Sequence, residues 1–192
     1  MIGIDHEYIP ANAAQGNKPS GRPNVEQIYC EVMQMGACKL DTRGNEIGVL
    51  NLTVQAHRIP VIPTWLTRLT GMTAEKRALG IQFPEALAQL VAFVGDDTDV
   101  WTFNGDWWVL KGNAEAHQIA PPFPPFKRLK PLLLQYGITK SDFEAVGAQE
   151  ICSGDLYRVL RIELPAIQGV GTHDAAHDAR SLAHSIYHLT HK

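Results

Sequence analysis

The stretch "QIYCEVMQMGACKLDTRGNEIGVLNLTVQAHRI", residues 27–59, decides how the rest of the chain has to be read. Gln27 to Asp41 is a long β-prone segment, "RGNEIG" supplies a hairpin turn, and Val49 to Ile59 returns as a second strand. Upstream, "MIGI" is a short apolar run that breaks into "DHE", the pattern of a buried strand with a polar end. Pro10 to Asn24, rich in Pro, Gly, Asn and Ser, is a loop by composition. Three strands therefore precede any long helix.

Helical patterns follow. Pro60 and Pro63 close the strand region, "TWLTRLTGMT" reads as short helical turns, and Thr73 caps "AEKRALG". Phe83 to Gly95 is a helix with Leu87, Leu90, Val91 and Val94 on one face. Thr98 to Asn104 is a fourth strand, "GDWWVLKGNAEAHQI" opens another helix, and Ala120 to Phe126 is a Pro-rich connector. Further helical signals lie in "KRLKPLLLQYGI" and "AQEICSGDLYRVLRI", and the last helix starts near Ala175. Strands first, then helices with one interleaved strand, indicate an α/β sheet with an antiparallel part and helices on its faces. At 192 residues and 45% hydrophobic content, without repeats or a linker, residues 1–192 read as one domain.

Composition narrows the class. No apolar run reaches the roughly 18 residues of a membrane span, and the N-terminal stretch carries a charge at Asp5, so an intracellular, cytoplasmic protein is expected. Cys30, Cys38 and Cys152 are odd in number and lack CxxC spacing, which argues against a disulfide framework or a structural zinc site and for buried thiols. A formal net charge of −3 does not advertise nucleic-acid binding, although "FKRLK" and "YRVLRI" hold five of the seventeen basic residues.

Asp5 and Glu7 stand two apart on a strand, so both carboxylates face one side with His6 opposite. Such a pair repels itself unless a divalent cation joins it or water covers it. Asp106 follows a strand and begins a helix, where open α/β sheets collect functional residues and where a plain N-cap also sits. His173 precedes a helix whose apolar stripe runs Ala175, Ala179, Leu182, Ala183 and Ile186. Asp178, four before Leu182, faces inward at the edge of that stripe, while His177 and His184 lean to its flank. Asp174 is explained by the helix macrodipole alone. A zinc site from His173, His177 and neighbouring acids lacks a cysteine or third histidine at ligand spacing.

In order, these residues resemble the DEDDh family of 3′-5′ exonucleases, and within it the group of RNase T, the polymerase III proofreading subunit and the Eri-1-like enzymes. The pattern D-x-E, then D, then H-x₄-D is met by Asp5, Glu7, Asp106, His173 and Asp178. "EVMQMGACKLD", "IPTWLTRLTGMT" and Leu110, four residues after Asp106, add to the likeness. The resemblance implies a ribonuclease H-like fold with a mixed five-stranded sheet, antiparallel in its first strands. It also implies hydrolysis assisted by two divalent cations, Mg²⁺ or Mn²⁺, releasing nucleoside monophosphates from the 3′ end of single-stranded RNA or DNA.

By the same resemblance Asp5, Glu7 and Asp178 hold one cation, Asp5 bridges to the second, and Asp106 acts through water. His173 is the general base, a role that suits an imidazole whose ordinary pKa is about 6.5, and "GVGTHD" lets it swing away from the site. Tyr8 and Ile9 are candidates for the terminal nucleotide, one of Trp107 and Trp108 for stacking on a base, and Lys127, Arg128 and Lys130 for the phosphate backbone. A homodimer fits the pattern of many relatives. Two departures stand out: a long loop, "YIPANAAQGNKPSGRPNVE", follows D-x-E, and "FNGDWW" is one residue tighter than the usual second motif. The competing readings are an inactive module that grips nucleic-acid ends, disfavoured because all five positions are filled, and an endonuclease of the same fold.

Overall fold

A computed structural model describes residues 1–10, 30–164 and 173–191. Its centre is a five-stranded mixed sheet of order β3-β2-β1-β4-β5, built from β1 (Ile2–Pro10), β2 (Cys30–Leu40), β3 (Glu46–Thr53), β4 (Val100–Thr102) and β5 (Lys127–Arg128). β1 pairs antiparallel with β2, and β2 with β3, whereas β4 runs parallel to both β1 and β5. The mixed five-stranded sheet with antiparallel first strands is the architecture expected from the sequence. Most of the Pro10 to Asn24 loop and the glycines before His173 lie outside the described residues, and Pro10 itself still pairs with Cys30.

The second hairpin strand differs from expectation at both ends. It begins at Glu46 and not Val49, because the Asp41 carboxylate closes the turn by accepting the N–H groups of Arg43 (2.8 Å) and Asn45 (2.9 Å). It stops at Thr53 and not Ile59, because Glu31 draws the next backbone off the ladder. The Glu31 carboxylate accepts the N–H groups of His57 (2.9 Å), Arg58 (2.6 Å) and Ile59 (2.9 Å). Arg77 completes this pin, donating to Glu31 at 2.5 Å and to the Ile59 carbonyl at 2.6 Å from a fully buried position.

Helices cover both faces: α1 (Thr64–Thr70), α2 (Ala74–Ala78), α3 (Phe83–Val94), α4 (Asp106–Ala116), α5 (Lys140–Ala145), α6 (Leu156–Val159) and α7 (Ala175–Thr190). Alternation along β1 sorts the core. Ile2 and Ile4 pack with Leu87, Leu90, Val109 and Leu110 of α3 and α4, whereas the intervening positions, Gly3 and Asp5, turn toward α7. Val91, expected in the buried stripe of α3, is exposed, since Phe83, Ala86, Leu87, Leu90 and Val94 already fill the side that meets the sheet.

α7 lies close against β1 and β2 because two glycines leave room for it. A Cβ on Gly3 would stand 2.6 Å from the Ala179 carbonyl oxygen, and one on Gly36 would collide with the backbone of Ala175. Beyond that contact, Leu182 and Ile186 join Phe103, Leu129, Phe143 and Leu156 in a second core. Cys30 and Cys38 are buried as expected, but Cys152 is only half-buried. Among the described residues no helix is long and apolar enough to cross a membrane.

Candidate active site

The chain turns from β4 into α4, from β1 into its irregular end, and into the start of α7 around one cleft of about 320 Å³. β1 shifts register against β2 between Glu7 and Tyr8, so that Glu7 opposes Gln34 while Tyr8 opposes Val32. Bulges of this kind re-aim side chains next to functional sites, and here Asp5, Glu7 and Tyr8 all line the cleft.

Asp106 is the first residue of α4, yet it does not cap the helix; Gly105 holds the cap position without a side-chain bond. The Asp106 carboxylate instead accepts the His6 N–H at 3.1 Å and the Thr102 hydroxyl, and His6 Nδ1 stands 3.7 Å from Oδ1. Those bonds cross from β1 and β4 and hold the carboxylate in the cleft. The alternative of a plain N-cap is thereby removed.

Asp178, on the first turn of α7, is 3% exposed and points inward as its spacing from Leu182 predicts. Its Oδ1 accepts the His173 N–H at 3.2 Å. Ser153 joins it to Asp5, donating to Asp5 Oδ1 at 2.8 Å and standing 3.4 Å from Asp178 Oδ2. Gly154 must follow, because a Cβ there would strike the Asp178 carboxylate. Ser153 carried no motif, and its part is visible only once the chain is folded.

His173 sits at φ +64°, in the left-handed region that non-glycine residues rarely adopt. Its imidazole, Glu7 and Asp178 each offer a ligand atom within 4.8 Å of the others. Asp174 is the N-cap of α7, accepting the N–H groups of Ala176 (3.1 Å) and His177 (3.2 Å). His177 lies on the flank, against the Gly154 carbonyl and the Tyr157 ring. The sequence "HDAAHDA" thus divides into two residues in the cleft and two that finish the helix end.

The electrostatics of the cleft are uneven. Burial, followed by the charges of Asp106, Asp178 and Glu7, pushes the Asp5 carboxyl well above the ordinary range despite the Ser153 bond. Burial and the charges of Asp178 and Asp106 do the same to Glu7. Burial raises Asp178 to about 8 against the opposing bonds from His173 and Ser153. Asp106 goes the other way: burial would raise it, but the His6 and Thr102 contacts outweigh burial and hold it low. Crowded carboxylates of this kind are costly as anions unless a cation sits among them. Their all-oxygen chemistry fits Mg²⁺ or Mn²⁺.

The other residues singled out from sequence divide between cleft and core. Tyr8 and Lys130 line the cleft, Lys130 with its Nζ 5.3 Å over the Phe103 ring. Ile9 is fully buried among Met33, Ile59, Leu66 and Met72, on the opposite side of the strand from its neighbour. Neither tryptophan reaches the cleft. With Asp106 aimed inward, positions 107 and 108 fall about 100° and 200° further round the helix. Trp107 packs on the main core and donates to the Phe123 carbonyl at 3.3 Å, with Trp108 edge-on to it at 4.6 Å. Lys127 is engaged by Asp99 at 2.8 Å, and Arg128 is exposed on the edge strand, both away from the lining. An apolar wall of the cleft comes instead from α1, through Trp65, Leu66 and Leu69.

No family profile matches the sequence, and no curated protein does. Solved structures do match. The nuclease domain of 3′hExo, a DEDDh family member bound to rAMP, superposes with a TM-score of 0.70 at 14% identity, over 99% of this chain and 90% of that one. Cell-death related nuclease 4 (CRN-4) gives 0.65 at 13% identity, over 99% and 63%. E. coli Exonuclease I in complex with a dT13 oligonucleotide gives 0.61 at 14% identity, over 98% of this chain and 40% of the larger enzyme. The chain therefore has the fold of DEDDh exonucleases across almost its whole length.

Proposed function

We propose that this chain is a cytoplasmic, metal-dependent 3′-5′ exonuclease of the DEDDh type that removes nucleoside monophosphates from the 3′ end of single-stranded nucleic acid. The observation that carries the reading is the meeting of Asp5, Glu7, Asp106, Asp178 and His173 in one cleft, on the fold that 3′hExo and Exonuclease I share. Asp5, Glu7, Asp106 and Asp178 would hold the divalent cations. When bound, the pair of cations supplies Lewis acidity to the attacking water and to the departing 3′ oxygen.

The chain's own residues do the remaining work. His173 accepts the proton of the attacking water on its imidazole nitrogen. Ser153 keeps Asp5 and Asp178 aligned by sharing its hydroxyl between them. Trp65 and Leu69 offer a surface for the terminal base, whereas Lys130 is the one lysine or arginine among the described lining residues and faces the phosphate. At about 320 Å³ the cleft is at the small end of ligand pockets, with room for one terminal nucleotide.

The test is degradation of matched 5′-labelled RNA, single-stranded DNA and duplex DNA with Mg²⁺ or Mn²⁺. A ladder shortening from the 3′ end to mononucleotides is expected on at least one single strand, and Asp178→Ala should abolish it. Strands that stay intact in both metals sink the proposal.

A further inference from the structure

The cleft offers a cation two different sets of ligands. One is the group of carboxylates. The other contains a nitrogen: one imidazole nitrogen of His173, a carboxylate oxygen of Glu7 and one of Asp178 lie within 4.8 Å of one another. Bonds of about 2.0–2.2 Å to a tetrahedral ion place its ligands about 3–4 Å apart, so small side-chain movements close this set on a single ion. The His173 backbone helps to hold the arrangement, through its N–H on Asp178 Oδ1 at 3.2 Å and its left-handed φ of +64°.

Ion chemistry separates the two sets. Mg²⁺ is hard, takes oxygen ligands and keeps its waters, whereas imidazole suits Zn²⁺ and its open-shell mimic Co²⁺. Open zinc sites take three protein ligands with water in the fourth place. The set weighed from sequence relies on His177, which the fold turns to the flank, whereas here Glu7 supplies the third ligand beside His173 and Asp178. The other mixed group among the described residues, Cys38, Glu46 and His184, is a poorer host. The Arg180 guanidinium already stands 2.8 Å from Glu46, and burial pushes the Cys38 thiol up to about 12.

We propose that Glu7, His173 and Asp178 form a Zn²⁺ or Co²⁺ site that excludes the all-oxygen arrangement, and that Zn²⁺ bound there silences the enzyme by occupying its base. The silencing rests on the exonuclease reading above. The binding does not.

The full chain, stripped of metal with EDTA and dialysed, is titrated with Co²⁺ in the visible range, and its Zn²⁺ affinity is measured against a chromophoric chelator. Wild type, His173→Asn and His184→Asn are compared; asparagine tolerates the left-handed backbone at position 173. Intense four-coordinate Co²⁺ bands are expected in wild type and His184→Asn and not in His173→Asn. Zn²⁺ affinity should fall at least about tenfold in His173→Asn, the smaller loss that even outer-shell changes cause at metal sites, while Mn²⁺ affinity holds because no oxygen ligand is lost. Weak six-coordinate Co²⁺ bands in wild type overturn the site without recourse to any variant. So does Zn²⁺ affinity that survives His173→Asn or falls in His184→Asn instead.

In the activity arm, Mn²⁺-driven shortening of a 5′-labelled single strand should stop as Zn²⁺ fills the site. Shortening that continues overturns the silencing. Absence of any shortening with Mn²⁺ fails the exonuclease reading, and the Co²⁺ and Zn²⁺ titrations still decide the site.

Discussion

Replacing Asp178 with asparagine should stabilise the metal-free protein at alkaline pH and remove its response to divalent cations. In the folded chain this carboxyl is raised to about 8 from an ordinary 3.8, chiefly by burial. The native state therefore retains a proton that the unfolded chain releases. The resulting stability is fully present below pH 3.8 and is lost as pH rises through about 8. Each pH unit well below the folded pKa is worth about 1.4 kcal/mol per proton, and the native carboxyl is itself half ionised at about pH 8, so passing from pH 6 to pH 8 costs about 2 kcal/mol. For a chain of this size, 1 kcal/mol moves the melting midpoint by about 2–4 °C, which gives a fall of about 4–8 °C.

Asparagine has no proton to lose, and its amide oxygen still accepts the His173 N–H. The difference between wild type and variant reports this group together with the shifts its charge imposes on Asp5 and Glu7, while titrations outside the cleft cancel. A cation at 100 times its dissociation constant should return about 2.7 kcal/mol to wild type, most visibly above pH 7, and little to the variant. Scanning calorimetry from pH 5.5 to 8.5, in EDTA and in Mn²⁺, reads all of this. Equal pH slopes for the two proteins in EDTA would show that Asp178 does not carry its charge in a buried acidic cluster.

Other perturbations test other parts of the structure. Arg77→Met strands the Glu31 carboxylate and should cost about 3–5 kcal/mol in urea unfolding, with much of the loss recovered on adding Glu31→Gln; a change under about 1 kcal/mol contradicts the buried pin. Gly36→Ala should destabilise by about 1–3 kcal/mol and weaken Mn²⁺ binding, since α7 must move and Asp178 moves with it; calorimetric titration with normal affinity would count against that spacing. Trp65→Ala should raise KM about fivefold or more, the smaller value of a base stack worth about 1–3 kcal/mol. Trp108→Ala should leave KM unchanged, and a rise there would put the second tryptophan back in the substrate path.

The first four strands and the acidic positions are readable because local rules determine them, whereas β5 lies in a segment whose sequence reads as helical. Two residues on a strand share a face, which places Asp5 with Glu7, and one helical turn separates Asp178 from Leu182. Long-range bonds decided what was not readable. Ser153 reaches Asp5 across 148 positions and Asp178 across 25. β3 ends where it does because of Glu31 and Arg77, and no pattern within residues 49–59 announces that. Taken alone, the position of Asp106 in the sequence fits a helix cap better than a site residue, and only the bonds from His6 and Thr102 turn it into the cleft. One tryptophan packs on the core as expected, and neither lines the cleft, because once Asp106 takes the inward direction its two neighbours cannot.

The pin of Glu31 and Arg77 also has a meaning for how this protein can change. The cleft has two walls with separate foundations. Its acidic wall stands on β1, α4 and α7. Its apolar wall stands on α1, whose Leu66 packs on Ile59, and Ile59 is in turn held at both its N–H and its carbonyl by the buried pair. What the molecule grips can therefore drift, by substitutions around α1, while what it cuts with stays in register. Selection for a new substrate has a route open to it that leaves the chemistry alone.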